Sequence, residues 1–129
     1  MKLKTFAAVV TLVALTMIGC RSNPVYTVTD APVVTSTRDY STKDVRNAIL
    51  QAGASLDWQM NDAQPGLIVG TLNVRDHMVQ VDIPYDRRTY SILYRNSMNM
   101  NYDGSNIHSN YTGWVQRLNA AINSRLSML

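Results

Sequence analysis

The stretch LIVGTLNVRDHMVQVDIPY, residues 67–85, decides the fold of this chain. Apolar and polar residues alternate on both sides of Arg75-Asp76, which is the period of a half-buried β-strand. Because Arg75-Asp76 is a short connection between the two halves, we expect them to pair as an antiparallel hairpin. The residues predicted on the buried face are Ile68, Gly70, Leu72 and Val74 in the first strand and Val79, Val81, Ile83 and Tyr85 in the second.

The same alternation continues before and after this hairpin. Pro65-Gly66 is a turn signal on its amino-terminal side, and Asp86-Arg87 is the next expected turn on the other side. The segments beyond these turns also show the alternation of a strand. The alternating apolar residues are Leu56, Trp58 and Met60 before the hairpin, and Tyr90, Ile92 and Tyr94 after it. The sequence therefore predicts an antiparallel meander.

Two helices are predicted to flank the meander. Ser41 is a good N-cap, Asp44 suits the first helical turn, and Gly53 is expected to end this first helix. Its apolar stripe is Val45, Ala48, Ile49 and Ala52. The second helix has the strongest periodic pattern in the chain, which is Ile107, Tyr111, Trp114, Leu118, Ile122 and Leu126.

This order of elements favours an α+β domain, with an antiparallel sheet of three to five strands and both helices packed on one face. The expected order is (β)-α-β-β-β-α, where the first strand would come from Val25 to Thr35. The opposite sheet face is then half apolar, which is typical of a contact surface. Three possibilities stay open for this face: dimerisation, docking on an envelope protein, or coverage by Val25 to Thr35. Its residues are Leu67, Val69, Thr71, Met78, Gln80, Asp82, Ser91 and Leu93.

The amino terminus has the features of a secretory signal, because Lys2 and Lys4 precede a short apolar run, residues 6–18. Residues 15–20, LTMIGC, resemble the lipobox of bacterial lipoproteins. This resemblance implies cleavage before Cys20, the only cysteine, and attachment of lipid to it. Many enterobacterial lipoproteins that stay in the inner membrane have Asp after the cysteine, whereas this chain has Arg21. The resemblance therefore also implies a location at the periplasmic face of the outer membrane.

The predicted domain organisation follows from this signal. Residues 1–19 are the signal peptide, residues 20–39 are the lipidated cysteine and a tether, and residues 40–129 are the α+β domain. Removal of the signal leaves ten basic and nine acidic side chains, a net charge of about +1. Such a near-neutral chain argues against a nucleic-acid partner, whose binding starts from a basic face.

Candidate chemistry is sparse in this sequence. The chain has nine Asp, no Glu and two histidines, and these do not form a recognisable catalytic set, so we expect no enzyme activity and no cofactor. His77 is expected at the start of a strand and His108 in the first turn of the last helix. Their separation in the sequence, without a second ligand beside either, predicts no zinc site.

Residues 99–110 invite comparison with a calcium-binding loop. Asn99, Asn101 and Asp103 are followed by Gly104, as in the first half of such a loop, but the twelfth position is Asn110 instead of the required Glu. With one carboxylate, calcium affinity would be weak, and we predict no metal. We expect a crossover from the last strand to the last helix, with Ser105 or Asn106 as the helix cap.

Four residues are candidates for binding a ligand: Tyr102, Arg87, Arg88 and Arg95. Tyrosine stacks on sugar rings, and arginine pairs with phosphate such as that of lipopolysaccharide. The more ordinary interpretation of these arginines is a solvated rim around the last strand.

Several short motifs resemble a group of small proteobacterial lipoproteins over residues 40–126. They are Tyr90-Ser91-Ile92, Asn96-Ser97, Asn101-Tyr102, Ile107-His108, Tyr111 and Trp114-Val115. The resemblance implies an envelope location and an α+β domain, and it transfers no catalytic residue. We therefore expect a non-catalytic, membrane-anchored envelope lipoprotein that docks a protein partner or associates with itself; the alternative is a binding module for glycan or lipopolysaccharide.

Overall fold

The computed structural model describes residues 21–129, so the signal peptide and Cys20 predicted above lie outside the described residues. The fold is α+β, as the sequence predicts. Its helices are α1 (Thr42–Ser55) and α2 (Asn110–Leu126). Its strands are β1 (Ser22–Pro24), β2 (Val28–Pro32), β3 (Gln59–Gln64), β4 (Leu67–Val74), β5 (His77–Pro84), β6 (Thr89–Met98) and β7 (Asn106–His108).

The central sheet has five antiparallel strands in the order β2-β6-β5-β4-β3, and β1 pairs with β7 in a separate two-stranded sheet. The hairpin predicted at Arg75-Asp76 is confirmed, with Val74 opposite His77 and Arg75 at a φ of 57°. The apolar stripes of both helices share one core with the inner sheet face. Fully buried members of that core include Ile68, Val79, Val81, Ile83, Ile92, Leu118 and Ile122.

The start of α1 matches its prediction, whereas its end does not. Ser41 and Asp44 form a capping box, in which each side chain accepts a hydrogen bond from the other residue's backbone N–H. The helix continues through Gly53 to Ser55, so the predicted stop at Gly53 is wrong. Gly53 instead permits close packing of β3, because a Cβ there would lie 2.2 Å from the Met60 sulfur.

The start of α2 is also later than predicted. Ile107 and His108 belong to β7, and neither Ser105 nor Asn106 caps the helix, which begins at Asn110. Backbone pairing explains the difference, since His108 lies opposite Ser22 and its N–H donates to the Met100 carbonyl at 2.8 Å. Ile107 is fully buried from its strand position, so it fits the apolar pattern of the helix without being helical.

The predicted tether needs the largest correction. Residues 22–24 and 28–32 form β1 and β2, so the folded domain begins at Ser22 and not at residue 40. β2 is the edge strand that the sequence allowed: Val28 lies opposite Ile92, and Val28 is buried in the core. Strand pairing and core burial hold this segment, although its Thr- and Pro-rich composition is typical of a spacer.

The strands of the central sheet connect two ends of the domain. We call one the β1 end; it contains β1, β7, the loop at residues 99–105 and the turn at Arg75-Asp76. His77 connects β5 to the loop at residues 99–105, because its Nδ1 lies 2.7 Å from the Asn99 carbonyl oxygen. The other is the far end, with the turns at Pro65-Gly66 and residues 86–88. The eight residues of β5 separate the two ends by about 25 Å, at about 3.3 Å per residue.

Candidate functional site

The outer face of the central sheet is the broadest candidate site. Alternation along the strands turns Leu67 and Val69 of β4 away from the core, together with Met78 of β5 and Leu93 of β6. The register brings Val69, Asp82 and Leu93 side by side in one row across three strands. All of these apolar side chains are only partly buried. The outer face is therefore a mixed, half-apolar surface, as the sequence predicts.

The polar groups of the outer face are largely paired with one another. Arg95 donates to the Asp82 carboxylate at 2.7 Å, and Gln80 donates to the Thr71 hydroxyl at 3.1 Å. Arg95 is the extra residue of a bulge in β6. Tyr94 lies opposite Val81 of β5 and Asn96 lies opposite the adjacent Gln80, so Arg95 has no partner of its own on β5. The ion pair neutralises the face internally, so the surface offers apolar contact with little net charge.

The segment from Val25 to Thr35 covers the outer face only at its edge, where Ser91 is buried. It runs alongside β6 at the sheet edge, where the Asp30 N–H donates to the Ser91 hydroxyl at 2.9 Å. Its Val28 side chain is buried in the core, on the other side of the sheet. Within residues 21–129, that segment therefore covers the face only in part, and Leu67, Val69, Met78 and Leu93 stay partly exposed.

A second candidate site is a hollow at the β1 end that contains Tyr102. The Tyr102 ring stacks on Tyr94 with a centroid separation of 4.1 Å, and 42% of Tyr102 stays exposed. The volume of the hollow is about 490 Å³. It is lined by Tyr94, Arg95, Asn96, Ser97, Asn99, Met100, Asn101 and Tyr102. One exposed aromatic ring surrounded by amides and a guanidinium is a chemistry that suits a sugar or a polar headgroup.

Tyr111 packs beneath this hollow and has an unusual hydroxyl. Its ring meets the Tyr94 ring edge-on at 6.0 Å, and the residue is fully buried. Its hydroxyl has no hydrogen-bond partner among residues 21–129. Burial raises the pKa of Tyr111 well above its ordinary value, and the neighbouring Tyr94 and Tyr102 add to the shift. A neutral hydroxyl at this position therefore remains at every physiological pH.

The structure separates the four residues predicted to bind a ligand. Arg95 and Tyr102 line the same hollow, whereas Arg87 and Arg88 lie at the far end, before β6 begins. The Arg87 guanidinium is engaged there, since it donates to the carbonyls of Arg38 and Tyr40 and lies 4.4 Å from the centre of the Tyr40 ring. Arg87 thus fastens the segment before α1, and a single ligand of modest size cannot contact all four residues.

The structure also brings together two histidines that are 31 positions apart in the sequence. The rings of His77 and His108 lie 5.6 Å apart, and the Trp114 ring lies 6.5 Å from His77. The pairing requires His108 to be on β7 instead of in the helix predicted there, so no local sequence signal could have revealed it. His108 Nδ1 accepts a hydrogen bond from the Asn110 N–H, which fixes its ring at the start of α2.

The loop compared with a calcium site is a hydrogen-bonded turn. The Asp103 carboxylate accepts from the backbone N–H groups of Ser105 and Asn106, at 2.9 and 2.7 Å. These bonds lower the pKa of Asp103, with the Asn106 amide as the largest cause. Within residues 21–129, no three His or Asp side chains come together in a group that could hold a metal ion.

No protein-family model, curated protein or solved structure matches this chain. Among the helices of residues 21–129, none is long and apolar enough to cross a membrane.

Proposed function

We propose that this chain is a non-catalytic envelope lipoprotein, anchored by lipid on Cys20 at the periplasmic face of the outer membrane, whose domain docks another protein surface. The observation that carries the proposal is the outer face of the central sheet, which leaves Leu67, Val69, Met78 and Leu93 partly exposed. Apolar side chains that stay partly exposed on one face are a recurrent feature of contact surfaces. Antiparallel sheets present one such face when helices cover the other.

A second copy of the same chain is the partner that the charges favour. The ion pair between Arg95 and Asp82 leaves the face without net charge, so two copies would not repel each other there. The five strands of the central sheet contain between five and ten residues each, which gives the sheet a projected area of roughly 600 Å². This is of the same order as the roughly 800 Å² that each partner contributes to a stable interface.

Cross-linking in membranes tests this proposal. Val69→Cys places a thiol on the outer face, and Ala120→Cys places one on the exposed side of α2 as the matched control. With Cys20 blocked by lipid, a short bismaleimide is expected to join copies through position 69 and to leave the position 120 variant monomeric. Adding Leu93→Asp to the Val69→Cys variant is expected to abolish the cross-link, because it places an unpaired charge in the contact. Equal cross-linking at positions 69 and 120 would argue against a specific face.

Binding of glycan or lipopolysaccharide is the second candidate, and the hollow around Tyr102 favours it. The hollow combines an exposed aromatic ring with the Arg95 guanidinium and amides from Asn96, Asn99 and Asn101. Titration with peptidoglycan fragments and with lipopolysaccharide provides the test. Tyr102→Ala is expected to weaken binding at least tenfold, while Arg88→Ala at the far end leaves it unchanged. Equal losses in the two variants would exclude this hollow as the binding site.

A further inference from the structure

The folded domain begins almost immediately after Cys20. The carbonyl of Arg21 accepts a hydrogen bond from the Ser109 N–H at 2.8 Å, and Ser22 pairs with His108 as the first residue of β1. Consecutive Cα atoms are about 3.8 Å apart, so lipid on the residue before Arg21 would be joined to the β1 end by a single peptide link. A flexible spacer of residues 20–39 would have given the domain a reach of roughly 25 Å. Without that spacer, lipid on Cys20 would fix one end of the domain at the bilayer.

We propose that the β1 end of this domain lies against the phospholipid headgroups, with Arg21 and Tyr102 at the contact and the outer sheet face standing upright above the membrane. The inference rests on the lipid attachment proposed above and adds an orientation to it. The partner of this surface is a lipid surface. A long tether would allow any side of the domain to face the membrane, whereas attachment at position 20 allows only the end that contains Ser22.

The composition of the β1 end suits an interfacial position. Its exposed side chains are polar and uncharged for the most part, as in Asn23, Asn101 and Ser105. Tyr102 adds an exposed aromatic ring with a polar tip, and aromatic residues of this kind are enriched at the level of the headgroups. The loop that carries Tyr102 is held to the β1 region, because the Val25 N–H donates to the Ser105 carbonyl at 3.0 Å. The contact surface is thus already ordered in the free domain.

The charges of the β1 end indicate what holds the orientation. Arg21 and Arg75 are offset there by Asp76 and Asp103, so the surface has no net attraction for anionic lipid. The short covalent connection must therefore set the orientation, and lipid charge should have little influence on it. The opposite arrangement, with Arg88 of the far end toward an anionic surface, would require the domain to turn over on its anchor.

The orientation has a consequence for docking. The strands of the central sheet run from the β1 end to the far end, so the outer face would stand perpendicular to the membrane surface and would face sideways. Proteins anchored in the same leaflet could then reach it, and a second copy of this chain would meet it at the same height. The inference thus explains how the face proposed for docking would remain accessible on an anchored protein.

Depth-sensitive quenching tests the orientation. The full lipidated chain is reconstituted into vesicles of phosphatidylethanolamine and phosphatidylglycerol that contain a lipid with a nitroxide on its headgroup. Fluorophores are attached to Ser105→Cys at the β1 end and to Ala63→Cys in β3, near the far end; both residues are exposed. We expect the nitroxide to quench the label at position 105 several-fold more than the label at position 63. The same ratio is expected in vesicles of phosphatidylcholine alone.

A lengthened variant is the control. A Gly-Ser segment of about 24 residues, with an r.m.s. length of roughly 27 Å, is inserted between Cys20 and Arg21 and should bring the two quenching values together. Flotation of the vesicles reports separately on the anchor. Failure of the chain to float with the vesicles would overturn both the lipid anchor and the orientation. Flotation with equal quenching at the two positions, or with stronger quenching at position 63, would overturn the orientation alone.

Discussion

The two faces of the central sheet are made from the same strands and from similar residues, yet their environments differ completely. On the inner face, Ile68, Ile83 and Ile92 are fully buried against the helices. On the outer face, Leu67, Val69 and Leu93 keep part of their surface in water. Hydrophobicity alone therefore does not decide what an apolar residue contributes here. The helices that cover the inner face make its residues essential for folding, and the open outer face leaves its residues available for contact.

The strongest way to test this comparison is to shorten one side chain on each face. Ile83→Ala should lower the free energy of unfolding by about 2–5 kcal/mol, because it leaves a cavity between the sheet and the helices. Leu93→Ala should cost less, about 1 kcal/mol, since part of the Leu93 side chain already lies in water. Urea unfolding followed by circular dichroism measures both. If Leu93→Ala were as destabilising as Ile83→Ala, the outer face would have to be covered in the free protein.

Two buried tyrosines extend the comparison from apolar to polar groups. The Tyr90 hydroxyl is hydrogen-bonded to the side-chain amides of Asn119 and Asn123, and burial raises the pKa of Tyr90 to about 12. Tyr90→Phe leaves these amides without their partner and should cost about 1–3 kcal/mol. Tyr111→Phe removes a hydroxyl that has no partner among residues 21–129, so it should be neutral or slightly stabilising.

Thermal melts of the two Phe variants under identical conditions provide the measurement. Both substitutions remove a single oxygen and keep the ring, so packing changes are matched. A loss of stability in Tyr111→Phe equal to that in Tyr90→Phe would reveal a partner for the Tyr111 hydroxyl, such as an ordered water.

Much of this division between faces can be predicted from the sequence, because strand alternation is a local property. The alternating residues from Leu67 to Tyr85 identify the buried and exposed sides correctly, and the Arg75-Asp76 turn fixes the pairing of β4 with β5. The cap at Ser41 is equally local. These features depend on residues that are neighbours in the chain.

Features that depend on distant residues could not be predicted in this way. β1 and β7 are each three residues long, and their pairing joins segments that are far apart in the sequence. No periodicity can be recognised in so short a strand, so residues 22–24 resembled a tether and Ile107 a helical residue. The pair of His77 and His108 depends on this same pairing, because His108 is on β7. The hollow at the β1 end is different, because its Arg95 and Tyr102 are ligand candidates in the sequence itself.

The outer face also contains an ion pair whose expected contribution to stability is small. The side chains of Arg95 and Asp82 are partly exposed, so water and salt screen their attraction. Arg95→Gln should lower the free energy of unfolding by no more than about 1 kcal/mol, and 1 M NaCl should reduce the difference from the wild-type protein. Urea titrations at low and high salt measure the effect. A loss that persists in high salt would point to packing by the arginine stem instead of charge.

The smallest expected effect concerns the exposed turn at Asp103, which is on neither face of the sheet. Its pKa is lowered chiefly by the Asn106 and Ser105 amides that its carboxylate accepts from. A lowered pKa means that the stabilisation is present above the unfolded pKa and is lost as pH falls through the folded pKa. Amide exchange at residues 105 and 106 should therefore accelerate at strongly acidic pH relative to its ordinary pH dependence.

Asp103→Asn should remove this acid response at residues 105 and 106. The similar turn at Asp86, at the far end, should keep its acid response, because the Asp86 carboxylate accepts separately from the N–H groups of Thr89 and Arg88. If Asp103→Asn altered exchange at both turns, the two ends of the domain would be coupled through the sheet, and the quenching test of orientation would have to be repeated with that coupling removed.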